Sequence, residues 1–281
     1  MKKDSRFVIV GLGLLGGAYA LGLRKAGFEH VAAIDLKEEA LAFAKEKNYI
    51  EEGRTEGFEA LLARADYVIF SLYPTAFIQW VEKYGVLLPA GCLCTDVSGV
   101  KAGLVEKVQA LLPEGVEFIA SHPMAGKERS GFDASEASLF YNASYILVPG
   151  EAPQSATDTL VSLAKSMGFG TIKYCTQQKH DRMIAYTSQI PHVLACAYVM
   201  SPRCDEHSGF SAGSYRDVSR VARINAELWA DLFLANREEL ADETEELVRN
   251  IERIRAAVAK NDRAELVALL SSAREKKEKF G

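Results

Sequence analysis

The feature that most constrains the fold is a glycine-rich segment that follows an apolar tetrapeptide near the start of the chain. Phe7–Val10 runs directly into a GxGxxG spacing, and residues with helical periodicity come next. A strand, a tight turn and a helix N-terminus in this order suit the pyrophosphate of a dinucleotide, because the backbone can approach the phosphates and the helix dipole favours their charge. The predicted cofactor-binding residues of this turn are Gly11, Leu12, Gly13, Leu14, Leu15 and Gly16.

An acidic residue completes this pattern at the end of the second predicted strand. Asp35 follows Val31–Ile34, nineteen residues after Gly16, where a carboxylate accepts hydrogen bonds from the adenosine ribose hydroxyls. Its charge would repel a 2′-phosphate, so NAD is favoured over NADP, although Lys37 nearby leaves some NADP use open. The residues after Tyr67–Phe70 lie at the same sheet edge and are expected to touch the cofactor through their backbone: Ser71, Leu72 and Tyr73.

The chain as a whole divides into two regions of different pattern. Short apolar runs alternate with helix-period segments up to Cys175, which is typical of βα units around a parallel sheet, and only helical patterns follow. We expect an α/β fold with a Rossmann-like dinucleotide-binding domain at residues 1–175 and an all-α domain at residues 176–281. The predicted strands are Phe7–Val10, Val31–Ile34, Tyr67–Phe70, Cys92–Thr95, Glu117–Ala120, Tyr145–Val148 and Thr171–Tyr174. The predicted helices are Leu14–Ala26, Lys37–Lys47, Phe58–Ala63, Ala76–Tyr84, Val100–Leu111, Gln154–Met167, Gln177–Met200, Ala226–Asn236, Glu238–Lys260 and Arg263–Phe280.

Composition excludes several classes of function. The 33 basic and 38 acidic residues give a net charge of −5 without any basic, aromatic-rich patch, so nucleic acid is not an expected partner. No apolar run reaches the roughly 18 residues that span a bilayer, and the N-terminus lacks a cleavage site, so we expect a cytoplasmic protein. The five cysteines contain no CxxC spacing and the five histidines are scattered, so neither a metal site nor a disulfide framework is predicted.

Two polar segments follow later predicted strands and contain candidates for chemistry. The carboxyl ends of parallel strands open into the cofactor crevice. Hydride transfer from a carbinol carbon needs a base for the hydroxyl proton, and a histidine with a pKa near neutrality suits that task. His122 is the candidate base; the alternative is a structural hydrogen bond in the turn before Pro123. Ser98 either orients the substrate hydroxyl or caps a helix that begins near Val100.

The helical region offers cations for an anionic substrate. Arg216 and Arg220 present planar guanidinium groups, which bind carboxylates through paired hydrogen bonds. The alternative for either is a surface ion pair with Asp217 or Glu227. Gly209–Gly213 matches the GxSxG of hydrolases, but the residues before it are too polar for the buried strand that such a turn requires, so a hydrolase is discounted.

Five segments together resemble the prephenate/arogenate dehydrogenase family of tyrosine biosynthesis. They are GLGLLGG, TDVSGVK, SHPMAGKERSG, HDRMIAYTSQIPH and SYRDVSRVA, and they span nearly the whole chain. The resemblance implies an N-terminal dinucleotide-binding domain, a C-terminal helical domain that forms a homodimer, and an NAD(P)-dependent oxidative decarboxylation. It also implies that the small-molecule substrate is prephenate or arogenate.

The resemblance assigns roles to single residues. His122 matches the family's catalytic histidine, which takes the proton of the ring hydroxyl as hydride leaves the same carbon. Arg220 matches an arginine that holds a substrate carboxylate. His192 matches a substrate-pocket histidine, with Ser188 and Gln189 in the same segment as further substrate contacts. Glu128 matches a glutamate at the pocket entrance, and Trp229 a tryptophan near the pocket.

Two departures from the family pattern leave the role of Ser98 and the choice of substrate open. The orienting serine of many members stands where this chain has Gly99, so the role of Ser98, one position earlier, stays open. Many members have histidine in place of Gln189, which leaves open a preference for prephenate or for arogenate. Neither an ACT domain nor a fused chorismate mutase is expected. The alternative functions are another β-hydroxyacid-type dehydrogenase, an imine reductase, or a dinucleotide-binding regulator without catalysis.

Overall fold

The computed structural model describes residues 2–127 and 131–280. The strands of these residues are β1 (Phe7–Val10), β2 (Val31–Ile34), β3 (Glu52–Arg54), β4 (Tyr67–Phe70), β5 (Leu93–Asp96), β6 (Glu117–Pro123), β7 (Ser144–Val148) and β8 (Thr171–Tyr174). The α-helices are α1 (Leu14–Lys25), α2 (Glu38–Glu46), α3 (Glu59–Leu62), α4 (Pro74–Tyr84), α5 (Leu104–Leu111), α6 (Gln154–Ser166), α7 (Gln177–Ile184), α8 (Ile190–Val199), α9 (Gly213–Ser219), α10 (Ala226–Ala235), α11 (Arg237–Ala259) and α12 (Arg263–Phe280).

The described strands form one sheet in the order β3-β2-β1-β4-β5-β6-β7-β8. Every neighbouring pair is parallel except β6 and β7. The direction in which successive strands are added reverses between β1 and β4, and ligands of open α/β sheets bind at such a switch point, beyond the carboxyl ends of the strands. Val10 pairs with Phe70 there, so the glycine turn and Ser71 leave the sheet side by side.

Both faces of the sheet are covered, which explains the unbroken apolar run of β1. Phe7 and Ile9 belong to one buried apolar cluster, and Val8 and Val10 to the other. A strand buried on both faces has no polar side to alternate with, so it appears in the sequence as a continuous apolar segment. The predicted α/β fold class with a helical remainder is confirmed.

One strand, β3, was not predicted because it is short and polar. Glu52, Gly53 and Arg54 pair in parallel with β2 at the sheet edge. A Cβ on Gly53 would lie 3.0 Å from the Cβ of Leu41, so the absence of a side chain lets α2 pack closely on this edge. Glu52 also accepts hydrogen bonds from Arg54 and Arg64, at 2.7 Å and 2.8 Å. Because polar side chains hold this strand, its sequence lacks the alternation of apolar and polar residues that indicates a strand.

Several predicted boundaries need correction. The expected helix Gln177–Met200 is divided: α7 ends at Ile184, a π-helical turn covers Ala185–Gln189, and α8 begins at Ile190 with a proline in its first turn. A proline lacks the N–H that a helix interior requires, so it suits the first turn of a new helix. The expected helix from Val100 begins later, at Leu104, because Gly103 precedes it with φ +64°.

Side chains cap the N-termini of two helices of the C-terminal half. The side chain of Asn225 accepts a hydrogen bond from the Leu228 N–H at the start of α10, at 3.2 Å. Asp262 accepts one from the Glu265 N–H at the start of α12, at 3.0 Å. Each satisfies a backbone donor that the first turn of a helix leaves without a partner.

The chain forms two compact units. The sheet unit comprises the residues up to Ile184 together with Arg223–Asn236, and the helical unit comprises Ala185–Ala222 and the residues from Arg237 onward. The predicted domain boundary at residue 175 stays a prediction. Across the part of the chain that the structure describes, no helix has the length and apolar character needed to span a bilayer.

Candidate active site

The glycine turn has the geometry that a dinucleotide requires. Gly11 has φ +92°, and a Cβ there would overlap the Ser71 carbonyl oxygen. A Cβ on Gly16 would overlap the Gly11 carbonyl oxygen, so only glycine lets α1 pack this closely against the turn. A Cβ on Gly13, by contrast, would have no atom of the described residues within 4 Å. The backbone at Gly13, directly before α1, is therefore open to an approaching phosphate.

Gly17 is a further required glycine, which was not predicted as part of the turn. A Cβ there would overlap Ser135 and press on the ring of Phe132. Ser135 Oγ donates a hydrogen bond of 2.8 Å to the carbonyl oxygen of Leu14, which fixes the first turn of α1 from outside the sheet. The sequence did contain a signal for this packing. Gly17 directly follows Gly16, the last glycine of the GxGxxG spacing, and an additional glycine at that point indicates that another part of the chain packs closely against α1.

The carboxylate of Asp35 reaches the glycine turn. Its Oδ2 accepts a hydrogen bond of 2.6 Å from the Leu12 N–H, and its Oδ1 accepts one of 2.8 Å from the Lys37 N–H. Asp35 is partly exposed directly after β2. A carboxylate in this position favours ribose hydroxyls over a phosphate. Together with Gly11, Gly13 and Gly16, Asp35 fits a dinucleotide. Of the other predicted contacts, Leu12 is buried, Leu72 packs on the apolar core and Tyr73 is half exposed at the start of α4.

A fully buried ion pair lies where β5 and β6 end. Lys101 Nζ donates to Asp96 Oδ2 at 2.6 Å, and neither side chain is exposed. The same ammonium group donates to the carbonyl oxygens of Ser98 and Ser121, at 3.0 Å and 2.7 Å. Burial lowers the pKa of Lys101, an effect that the negative charge of Asp96 opposes. Asp96 also accepts hydrogen bonds from the N–H groups of Ser98 and Ser121, each at 2.9 Å, so the pair ties the two strand ends together.

His122 lies at the carboxyl end of β6 and contacts a second histidine. Its Nδ1 is 3.0 Å from Nε2 of His180, which is buried on α7. The Nδ1 of His180 is 2.7 Å from Oδ1 of Asp181. Burial lowers the pKa of His122 well below its ordinary value, and the electrostatic interactions with His180 and Lys101 lower it further. A histidine with such a pKa is neutral near pH 7 and is available as a proton acceptor.

Ser98 does not cap a helix, so that alternative is wrong. α5 begins at Leu104, and the hydroxyl of Ser98 is buried without a hydrogen-bond partner among the described residues. A buried hydroxyl without a partner costs free energy unless a ligand supplies one. A Cβ on the neighbouring Gly99 would lie 4.0 Å from Cε1 of His122. A serine at that position would therefore fit beside the histidine.

Two of the predicted substrate residues of the helical unit lie on the π-helical turn, and the other two lie in later elements of the chain. Ser188 and Gln189 belong to that turn, and Gln189 is buried. His192 follows in α8, where its Nδ1 donates a hydrogen bond of 2.8 Å to the Ser188 carbonyl oxygen, because a carbonyl only accepts. Arg220 begins a short 3₁₀ turn, Arg220–Ala222. In the sheet unit, Trp229 of α10 packs edge-on against Phe233. The predicted Glu128 lies outside the described residues.

Four residues of this site were not predicted from the sequence: Asp96, Lys101, His180 and Asp181. The signal for the first two was available, because a charged residue directly after an apolar strand, with a cation five positions later, indicates a buried pair. The sequence contained no such signal for His180, because no local pattern shows that this residue contacts His122. The structure brings His122 together with these four, and within the described residues no cluster of His, Cys, Asp or Glu could hold a metal ion.

A glycine turn shaped for a dinucleotide and a histidine with a lowered pKa lie at the same edge of one sheet, and they define a dinucleotide-dependent oxidoreductase. Comparison with known proteins narrows this class. The model of the prephenate dehydrogenase nucleotide-binding domain matches residues 19–172, and that of the prephenate dehydrogenase dimerization domain matches residues 176–272. The chain belongs to the prephenate dehydrogenase family.

Individual relatives agree with this assignment. The chain is 28% identical to the prephenate dehydrogenase of Bacillus subtilis, over 97% of this chain and 75% of that protein. It is similar to the crystal structure of Aquifex aeolicus prephenate dehydrogenase in complex with hydroxyphenyl propionate and NAD⁺, with a TM-score of 0.89, 26% identity, and coverage of 99% and 98%. It is also similar to Synechocystis arogenate dehydrogenase, with a TM-score of 0.83, 25% identity, and coverage of 98% and 100%.

Proposed function

We propose that the chain catalyses the NAD-dependent oxidative decarboxylation of prephenate, which yields 4-hydroxyphenylpyruvate, CO₂ and NADH. Arogenate, which would yield tyrosine, is the second candidate substrate. The observation that carries the proposal is the position of His122, a neutral histidine at the carboxyl edge of the sheet that also bears the glycine turn. Membership in the family supports the choice of reaction.

The residues of the chain would have separate roles in cofactor binding, proton transfer and substrate orientation. The N–H groups at the start of α1 and the open backbone at Gly13 hold the pyrophosphate, and Asp35 holds the ribose. When bound at these residues, NAD would supply the acceptor for the hydride of the ring carbon that carries the hydroxyl. His122 takes the hydroxyl proton as the hydride leaves. Loss of the ring carboxylate as CO₂ then makes the ring aromatic, and the proton returns from His122 to the ring oxygen to give the phenol. Ser98, whose buried hydroxyl has no hydrogen-bond partner among the described residues, is the candidate to orient the substrate hydroxyl.

Binding of the dianionic substrate would rest on local groups, because the net charge of −5 repels anions at long range. Arg220 is the proposed partner of a substrate carboxylate, since a guanidinium group binds a carboxylate through two parallel hydrogen bonds. His192, Ser188, Gln189 and Glu128 are the further proposed contacts, as the resemblance implies. The proposed NAD-binding domain, residues 1–175, also supplies His122, Ser98 and Glu128 to the substrate. Residues 176–281 form the proposed helical substrate and dimerisation domain, in a cytoplasmic enzyme.

A homodimer would cover apolar surface on the last two helices. Val248 and Val258 of α11 and Leu270 of α12 are 52%, 60% and 54% exposed. Helices with such residues at near-helical spacing favour burial against another apolar face. Sedimentation velocity at micromolar concentration tests this: a dimer supports the proposal, and a monomer at every concentration contradicts it.

The reaction is tested by mixing the protein with NAD and either substrate. We expect the absorbance of NADH to rise with prephenate, and mass spectrometry to detect 4-hydroxyphenylpyruvate. A larger kcat/KM with arogenate would assign the second candidate substrate. Cofactor binding without turnover on either substrate would instead support a dinucleotide-binding regulator and contradict the proposed function.

The choice between the two cofactors should depend on Asp35. In Asp35→Ser the carboxylate no longer repels a 2′-phosphate, so we expect the ratio of kcat/KM for NAD to that for NADP to fall on the order of tenfold to a hundredfold. The variant also loses the hydrogen bond to the Leu12 N–H, so activity with NAD should fall as well. Asp66→Ser, at the opposite edge of the sheet where β4 begins, is the control. An unchanged ratio in Asp35→Ser would contradict the assignment.

A further inference from the structure

His122 is the end of a chain of hydrogen bonds that begins at a carboxylate. Asp181 Oδ1 lies 2.7 Å from Nδ1 of His180, and Nε2 of His180 lies 3.0 Å from Nδ1 of His122. Both His180 and Asp181 are buried, with exposed fractions of 1% and 3%. All three residues belong to the sheet unit.

The carboxylate of Asp181 is fixed by its own contacts. Its Oδ1 also accepts a hydrogen bond of 2.9 Å from the backbone N–H of Lys101. The backbone carbonyl oxygen of Asp181 accepts one of 2.9 Å from the side-chain amide of Asn236. Since the Lys101 backbone is anchored in turn by its buried ion pair with Asp96, the position of Oδ1 is set by the strand ends and not by α7 alone.

These contacts determine where the hydrogens lie. An ionised carboxylate only accepts hydrogen bonds, so Nδ1 of His180 donates to Asp181. Burial lowers the pKa of His180, although its hydrogen bond with Asp181 opposes this, and a neutral imidazole that donates from Nδ1 must accept at Nε2. Nδ1 of His122 is therefore the donor in the contact between the two histidines. Neutral His122 consequently carries its lone pair on Nε2.

We propose that His180 and Asp181 are positioning residues that hold His122 in the tautomer with its hydrogen on Nδ1, so that Nε2 is the atom that accepts the substrate proton. The part that concerns proton transfer rests on the proposed function; the part that concerns the tautomer does not. When His122 takes the proton on Nε2, its Nδ1–H continues to donate to His180, and the carboxylate of Asp181 partly balances the new positive charge through the intervening ring. The same logic holds wherever a carboxylate fixes the tautomer of a catalytic histidine.

The tautomer can be observed directly by ¹⁵N NMR of the histidine rings, without any turnover. The chain has only five histidines, and the signals of His122 are identified by their loss in His122→Asn. In the wild-type protein we expect Nδ1 of His122 to appear protonated and Nε2 unprotonated. A wild-type spectrum with the hydrogen on Nε2 would overturn the proposal without the use of any other variant.

Two variants of His180 separate positioning from folding. His180→Phe keeps the ring volume and removes the acceptor, so His122 should lose its preference for the Nδ1–H form and kcat should fall on the order of 10²-fold, with little change in KM for NAD. His180→Gln retains an oxygen that can accept from His122 and should recover part of that loss. Thermal unfolding of both variants checks that the fold is intact.

The NMR and kinetic results distinguish a failure of the positioning proposal from a failure of the proposed function. If His122 keeps its Nδ1–H form in folded His180→Phe, His180 does not set the tautomer and the proposal is overturned. If the tautomer follows His180 as expected but the wild-type protein oxidises neither substrate, the positioning stands and the proposed function fails. Equal kcat values for the Phe and Gln variants would also count against positioning, because a purely structural histidine would not distinguish them.

Discussion

Replacing His122 with asparagine should lower kcat by a factor of about 10² to 10⁴, the usual contribution of a positioned general base. The side-chain amide that the variant introduces can still donate to Nε2 of His180, which is the contact that Nδ1 makes in the wild-type protein, so the fold should survive. KM for prephenate should change much less, because the variant loses an interaction that acts in the transition state. Steady-state kinetics on both substrates measure the two parameters separately.

His30→Asn is the matched control for this variant. His30 precedes β2 and pairs with Glu51, 2.9 Å away, at the amino edge of the sheet, whereas His122 lies at the carboxyl edge. We expect the control to retain wild-type kcat. If the two variants were equally active, His122 would be a structural histidine and the alternative raised from the sequence would hold.

The pH dependence of the wild-type enzyme provides a second measure of the same base. Only neutral His122 can accept a proton, and burial together with the electrostatic interactions with His180 and Lys101 places its pKa well below 6.5. As the pH falls through that pKa, kcat/KM should decrease, so the acid limb of the profile should lie below pH 6.5 and not at it. The limb should be absent from the residual activity of His122→Asn.

The parts of the site that the sequence predicted are those encoded by short, contiguous patterns. The glycine turn, Asp35 and the polar segment at His122 each follow an apolar strand directly, and the topology of a parallel sheet brings strand ends to one edge. His180 was not predicted as a partner of His122, because the two are 58 positions apart and their contact depends on how α7 packs. The same applies to Asp181, which reaches Lys101 across 80 positions.

The fold shows the same division between local and distant causes. The apolar strands at the sheet centre were predicted because burial on both faces removes polar residues from them. β3 was missed because Glu52, Gly53 and Arg54 are held by pairing with β2 and by polar contacts of their side chains. The π-helical turn Ala185–Gln189 was missed because a helical period of about 3.6 hardly differs from that of a π turn over so few residues.

The Asp96–Lys101 pair should have a large effect on stability, because removing one charge leaves the other buried. Taking an ion out of water is costly, and in this protein the cost is offset by the 2.6 Å contact and by further hydrogen bonds to both groups. Breaking a buried pair by removal of one partner typically costs about 3–5 kcal/mol. The carbonyl oxygens of Ser98 and Ser121 would lose their donor as well.

Lys101→Met should therefore lower the free energy of unfolding by about 3–5 kcal/mol at pH 7, which corresponds to a fall in the unfolding midpoint on the order of 10 °C. Lys107→Met, at an exposed position of α5, is the control and should change stability by less than about 0.5 kcal/mol.

The double variant Asp96→Asn/Lys101→Met buries no unpaired charge. Its loss of unfolding free energy should therefore be smaller than the sum of the losses in Asp96→Asn and Lys101→Met. Differential scanning calorimetry of the wild-type protein and these variants measures each loss. If Lys101→Met were as stable as its control, the pair would not hold the ends of β5 and β6 together, and the position of Asp181 would need another explanation.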